Sequence, residues 1–126
     1  MTKPLTDCPV EYTATLISNK WKIIILRDLL TGTKRYNELL RSVVGISAKV
    51  LTENLRDLEM AEIVIRKVYP EVPPRVEYSL TEKGEDLKEV INAMRNYGLK
   101  YKNVVGDNVD EWDNENNGHY WVWLFR

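Results

Sequence analysis

Residues 34–60 read KRYNELLRSVVGISAKVLTENLRDLEM, and this stretch decides the fold. It predicts two short helices joined by a tight turn. Apolar Leu39, Leu40, Val43 and Val44 mark the first helix. Gly45 suits the turn because it takes positive φ without steric cost. Ser47 is a good N-cap, since its hydroxyl can accept a hydrogen bond from a backbone N–H that the next helix leaves unpaired. Leu51, Leu55 and Leu58 then recur at helical spacing and mark one buried face. Ser47, Lys49, Thr52, Glu53, Asn54 and Arg56 are expected on the opposite face. Their short or basic side chains, rich in donors and acceptors, fit a DNA major groove. An ordinary helical hairpin with a solvated polar face fits this stretch equally well, because the geometry leaves a weak signature in one sequence.

Beyond Met60 the period changes. Ile63, Val64, Ile65, Val68 and Tyr69 are β-branched or aromatic and predict a strand that also carries Arg66 and Lys67. Pro70, Glu71, Val72, Pro73 and Pro74 cannot continue a ladder and mark a turn. In the next segment Val76, Tyr78 and Leu80 alternate onto one face, which completes a hairpin. Helix, turn, helix, hairpin is the order of a winged helix, and Arg66, Lys67 and Arg75 flank the tip of the wing. This order favours the DNA reading over the plain helical hairpin.

Upstream, Pro9 suits the first turn of a helix, and Val10, Tyr12, Thr13, Leu16 and Ile17 give it an amphipathic pattern. Ser18 and Asn19 break it. A second helix over 20–30 is apolar on most sides, which makes it the expected centre of the core, with Trp21 as a core residue. Lys34, Arg35 and Tyr36 are expected to be extended, with Asn37 capping the helix that follows. Downstream, Thr81 is expected to cap one long helix whose stripe is Leu87, Val90, Ile91, Met94, Tyr97 and Tyr101. The stripe is longer than a small domain needs. It is expected to pair two subunits together with Val10 and Leu16 of the first helix; packing within its own chain is the alternative.

The chain has 126 residues, 44% hydrophobic and 29% charged, which suits one folded domain. No apolar run is long enough to span a bilayer and the N-terminus has no apolar leader, so the reducing cytoplasm is the expected compartment. Cys8 alone excludes an internal disulfide, and one Cys with one His cannot make the usual zinc site. Cys8 and His119 stand at opposite ends and no Gly-rich phosphate loop exists, so neither an enzyme nor a cofactor is expected. The formal net charge is −1, but residues 1–105 carry 17 basic and 14 acidic residues. Residues 106–126 carry one Arg and five acids. The division expected is a winged-helix DNA-binding and dimerisation domain over 1–105 and an acidic, aromatic tail over 106–126. The tail ends in Tyr120, Trp121, Val122, Trp123, Leu124 and Phe125, which could fold back on the dimer, pack as a strand or bind a partner.

The runs Cys8-Pro9-Val10, Asn19-Lys20-Trp21-Lys22, Gly45-Ile46-Ser47-Ala48-Lys49-Val50-Leu51-Thr52 and Leu55-Arg56-Asp57-Leu58-Glu59 resemble the HxlR-type branch of winged-helix transcriptional regulators. The wing from Tyr69 through Arg75 to Gly84 carries the most specific part of that resemblance. It covers about residues 8–100 and excludes the tail. It implies a homodimer that binds a palindromic operator in double-stranded DNA, and a cysteine at the position of Cys8 that senses electrophiles or oxidants in some members. Members that form intersubunit disulfides often use a second cysteine, which this chain lacks; a bond from Cys8 to its own copy, or alkylation of Cys8, stays open.

Base contacts are expected from Ser47, Lys49, Val50, Glu53 and Asn54. Phosphate contacts are expected from Lys34, Arg35, Asn37, Thr52, Arg56, Arg66 and Lys67. Arg75 is the candidate for minor-groove insertion; a salt bridge to Glu71 or Glu77 is its plainer role. Cys8 beside a helix N-terminus is either a sensor thiol or a small buried hydrophobe. The rival function is a winged-helix protein-interaction module without sequence-specific DNA binding. Nothing in the sequence names a small-molecule effector.

Overall fold

The computed structural model describes residues 7–102. The acidic and aromatic tail, with His119 and the run 120–125, lies outside them. The described order is α1 (Pro9–Leu16), α2 (Lys20–Leu29), β1 (Lys34–Arg35), α3 (Tyr36–Ser42), α4 (Ala48–Met60), β2 (Val64–Tyr69), β3 (Arg75–Leu80), α5 (Glu82–Glu85) and α6 (Lys88–Tyr101). This is a mainly helical winged helix-turn-helix fold with a small antiparallel sheet. No described helix is long and apolar enough to cross a membrane.

The turn chemistry around α4 forms as its residue types dictate. Gly45 sits at φ 89°, and the Ser47 hydroxyl accepts from Val50 N–H at 3.2 Å. At α2 the Asn19 carboxamide oxygen accepts from Lys22 N–H at 2.9 Å. The start of α3 differs from expectation. Its N-cap is Arg35, not Asn37, because the Glu38 carboxylate reaches back to Arg35 N–H at 2.7 Å and satisfies the exposed donor. The helix ends at Ser42, so Val44 falls in the turn and is 78% exposed.

The sheet has β3 in the middle, with β2 and β1 antiparallel on either side. Val64 faces Leu80 and Tyr69 faces Arg75, while Lys34 faces Tyr78. The sheet is thus one strand wider than the expected hairpin, because Lys34 and Arg35 pair with β3. Beneath it lies one core of Ile25, Leu26 and Leu29 of α2, Leu39 and Val43, Leu51, Leu55 and Leu58 of α4, and Ile63. Trp21 packs against this core half-buried.

The helix after the wing is broken rather than continuous. Thr81 does cap it, its hydroxyl accepting from Gly84 N–H at 3.0 Å. At Asp86 and Leu87 the backbone tightens, with Leu87 N–H bonded to the Gly84 carbonyl at 3.0 Å, and α6 restarts at Lys88. The break turns Leu87 into the core, where it is 7% exposed.

One buried polar group ties α2 to α3. Asp28 is 2% exposed, accepts a hydrogen bond from the Ser42 hydroxyl and lies 3.5 Å from the Arg27 guanidinium. Burial pushes the Asp28 carboxyl above its ordinary range, against the pull of the Ser42 hydrogen bond and the charges of Arg27 and Lys34. Burial likewise pulls Arg27 down to about 10, opposed by Asp28, so it stays charged at neutral pH. A raised carboxyl means the folded state holds a proton that the unfolded chain has already released. Stability relative to Asp28→Asn should therefore fall as pH rises from the ordinary carboxylate value through the raised one. Urea unfolding of both proteins between pH 4 and 7 checks this; a flat or rising difference rejects it.

Candidate nucleic-acid interface

On α4 the period of the leucines decides which side chains are outward. Ser47, Lys49, Glu53 and Arg56 are exposed. Val50 is half-buried and packs on the core. Asn54 is a correction to the expected outward face: it is 6% exposed, donates to the Val50 carbonyl at 2.8 Å and accepts from the Asn19 amide at 3.0 Å. It lies three residues after Leu51 and four before Leu58, on the same face as they do.

Thr52 is also committed within the chain. The Tyr36 hydroxyl donates to the Ala48 carbonyl at 3.0 Å and accepts from the Thr52 hydroxyl at 2.9 Å. Tyr36 thereby fastens the start of α3 to the first turn of α4. The sequence pattern predicts only an extended link at Tyr36, with no role for its hydroxyl.

Two grooves gather the remaining candidates. One of about 330 Å³, between α4 and the sheet, is lined by Thr52, Arg56, Glu59, Arg66 and Tyr78. It brings together two of the expected phosphate contacts, Arg56 and Arg66. The other, of about 700 Å³, lies between the start of α3 and the wing tip. Arg35, Asn37 and Arg75 line it, and so does Arg41, an exposed cation that the sequence reading did not single out. Lys34 sits apart from both, half-buried, donating to the Thr31 hydroxyl at 2.7 Å. Lys67 is exposed on β2, its ammonium 5.1 Å from the Tyr69 ring.

Arg75 at the wing takes both of its plainer partners at once. Its guanidinium donates to Glu77 at 2.7 Å and Glu71 at 2.8 Å, and stacks 3.8 Å over the Tyr69 ring. The pairs hold the side chain across the wing rather than beyond it. Insertion into a minor groove therefore requires it to exchange at least the exposed Glu71 for DNA.

Away from this face, Cys8 is exposed at the N-terminus of α1. Of the expected dimer stripe, Leu87 and Ile91 are buried in the chain's own core, and Val90 and Leu16 are half-buried against it. Val10, Met94, Tyr97 and Tyr101 remain 78%, 46%, 70% and 64% exposed. Tyr97 and Tyr101 pack with tilted rings, their centroids 5.0 Å apart.

Comparison with known proteins agrees with the winged-helix fold. A family model described as HxlR-like helix-turn-helix matches residues 16–105. The HTH-type transcriptional regulator YdeP of Bacillus subtilis is 48% identical over 98 residues, covering 78% of this chain and 77% of that protein. The solved redox regulator HypR in its oxidized form is 44% identical with a TM-score of 0.72, covering 77% of this chain and 100% of that one. The reduced form of the transcriptional regulator YodB from B. subtilis is 38% identical with a TM-score of 0.67, covering 81% and 100%.

Proposed function

Because the chain belongs to the HxlR-like helix-turn-helix family, we propose that it is a cytoplasmic, homodimeric bacterial transcriptional regulator that binds palindromic operator DNA. The relatives named above are transcriptional regulators, a role without catalysis. The observation that carries the reading is the exposed start of α4, where Ser47, Lys49 and Glu53 point away from a face sealed by leucines. Lys49 donates to guanine and Glu53 accepts from cytosine, while Ser47 reads either base. Val50 contributes only the part of its side chain that the core leaves exposed. Arg35, Asn37, Arg56, Arg66 and Lys67 hold phosphates and set register, with Arg75 entering the minor groove from the wing. Residues 1–105 act as the DNA-binding and dimerisation unit.

One of the similar structures, HypR, is a redox regulator, and Cys8 is exposed here. On this reading an oxidant removes two electrons and two protons from the Cys8 thiols of a dimer, leaving one Sγ–Sγ bond; an electrophile alkylates a single Cys8 instead. Selection of bound sequences from random duplex, with and without a thiol oxidant, tests operator, symmetry and response together. Cys8→Ser should abolish the response. Lys49→Ala should weaken operator binding about tenfold and, if it also holds a phosphate, reduce the salt slope by about one. Unchanged affinity for Lys49→Ala removes it from the contact set. An absence of salt-dependent duplex binding returns the chain to the interaction-module reading.

A further inference from the structure

The first turns of α4 are held from two sides by polar groups. Tyr36 reaches the Ala48 carbonyl from α3. From α2, Asn19 and Asn54 form a chain of directed bonds. The Asn19 oxygen caps α2 through Lys22 N–H at 2.9 Å, and its nitrogen donates to the Asn54 oxygen at 3.0 Å. The Asn54 nitrogen then donates to the Val50 carbonyl at 2.8 Å. Every group in this chain has one fitting orientation, since an amide flip at either residue would set oxygen against oxygen or lose the cap. Lys22 adds a contact at 3.3 Å to Asp57 and a bond at 3.2 Å to the Ser18 hydroxyl. Asp57 is 60% exposed, so that ion pair is weak.

The remaining contacts of α4 with the body are a second bond from Tyr36, to the Thr52 hydroxyl at 2.9 Å, and the apolar packing of Val50, Leu51, Leu55 and Leu58. Apolar burial is non-directional, so it seats this face of α4 without itself fixing the last few degrees of rotation about the helix axis. Side-chain tips lie about 5–6 Å from a helix axis, so a rotation of about 10° moves them by about 1 Å. That displacement breaks a hydrogen bond to a base edge. We infer that Asn19 and Asn54 are positioning residues for operator recognition: their amide pair sets the rotation of α4 and so aligns Ser47, Lys49 and Glu53 with the bases without touching DNA. The inference rests on the DNA-binding reading above and adds a specificity role to residues outside the interface.

Two substitutions separate positioning from folding. Asn54→Leu keeps the branched outline of the buried side chain, though its methyls are bulkier than the amide atoms, and the Asn19 amide it abandons is on an exposed residue that water can satisfy. Asn19→Asp keeps an equally good cap for α2 but cannot donate to Asn54. Each variant is first shown to be folded by its melting curve. Affinity is then measured for the selected operator and for a scrambled duplex of the same length. The expected result is a fall of about tenfold in the ratio of the two affinities, the scale of one misaligned base contact. Scrambled-duplex affinity and salt slope should not change, and the double variant should be no worse than the poorer single one. If either folded variant keeps the ratio within about twofold, well under one base contact, or loses both affinities equally, the inference is overturned. Should Asn54→Leu fail to fold, Asn19→Asp decides alone. If the unsubstituted chain binds no duplex, the regulator reading falls and takes this one with it.

Discussion

Gly84→Ala should destabilise the fold by about 3 kcal/mol, a loss at the severe end for overpacking. Gly84 lies in α5 where that helix crosses the start of the wing. A Cβ there would lie against the Ile63 carbonyl oxygen, closer than real Cβ atoms approach backbone, with Ile63 Cγ2 and Leu80 Cδ2 each at 3.1 Å. The side chains could yield by a few tenths of an ångström, but the carbonyl cannot. It accepts from Thr81 N–H at 3.0 Å, and the Thr81 hydroxyl donates to the neighbouring Glu62 carbonyl at 2.7 Å while capping α5. Moving α5 away would break that cap and lift Leu87 from the core. By the usual scaling for a domain of this size, Tm should fall on the order of 15 °C, read from a circular-dichroism melt. A Tm within about 2 °C of wild type, equivalent to well under 1 kcal/mol, would show that α5 shifts freely.

Period and turn chemistry made the centre of the fold legible. Gly45, Ser47 and the leucines of α4 announce a turn, a cap and a buried face, and all three form as expected. The departures share a cause: position in the helix outweighs the preference of a polar residue type. As an amide Asn54 is expected outward, although its spacing from Leu51 and Leu58 puts it inward. Asn37 is expected as a cap because Asn caps well, but Glu38 reaching back to Arg35 N–H makes Arg35 the N-cap. Partner choice was less legible still. Nothing in the order of residues says that Arg75 takes Glu71 and Glu77 together, or that Tyr36 bonds across to Ala48. Those contacts arise from sheet register and helix packing, which bring distant residues together only after the core has closed.

Tyr97→Asp should abolish the proposed dimer and, with it, most operator affinity. Met94, Tyr97 and Tyr101 continue along α6 from Ile91, which is buried in the core, but stand exposed themselves. A single chain leaves Tyr97 70% exposed, so its removal exposes little new core and costs the monomer little. In a twofold interface the same residue is buried twice, each copy contributing about 1.5–3 kcal/mol. Asp removes that burial and sets two carboxylates against apolar surface. Binding to a palindrome depends on the dimer because the second half-site is engaged at high effective concentration once the first is held. Loss of that linkage should lower affinity on the order of 100-fold, leaving half-site binding and its base preference intact. Sedimentation should show a monomer, and Tm, which for an associating protein rises with concentration, should become independent of it. A variant that stays dimeric would move the interface off α6. One that is monomeric yet binds the palindrome undiminished would refute the requirement for two subunits, since a lone α4 reads only one half-site.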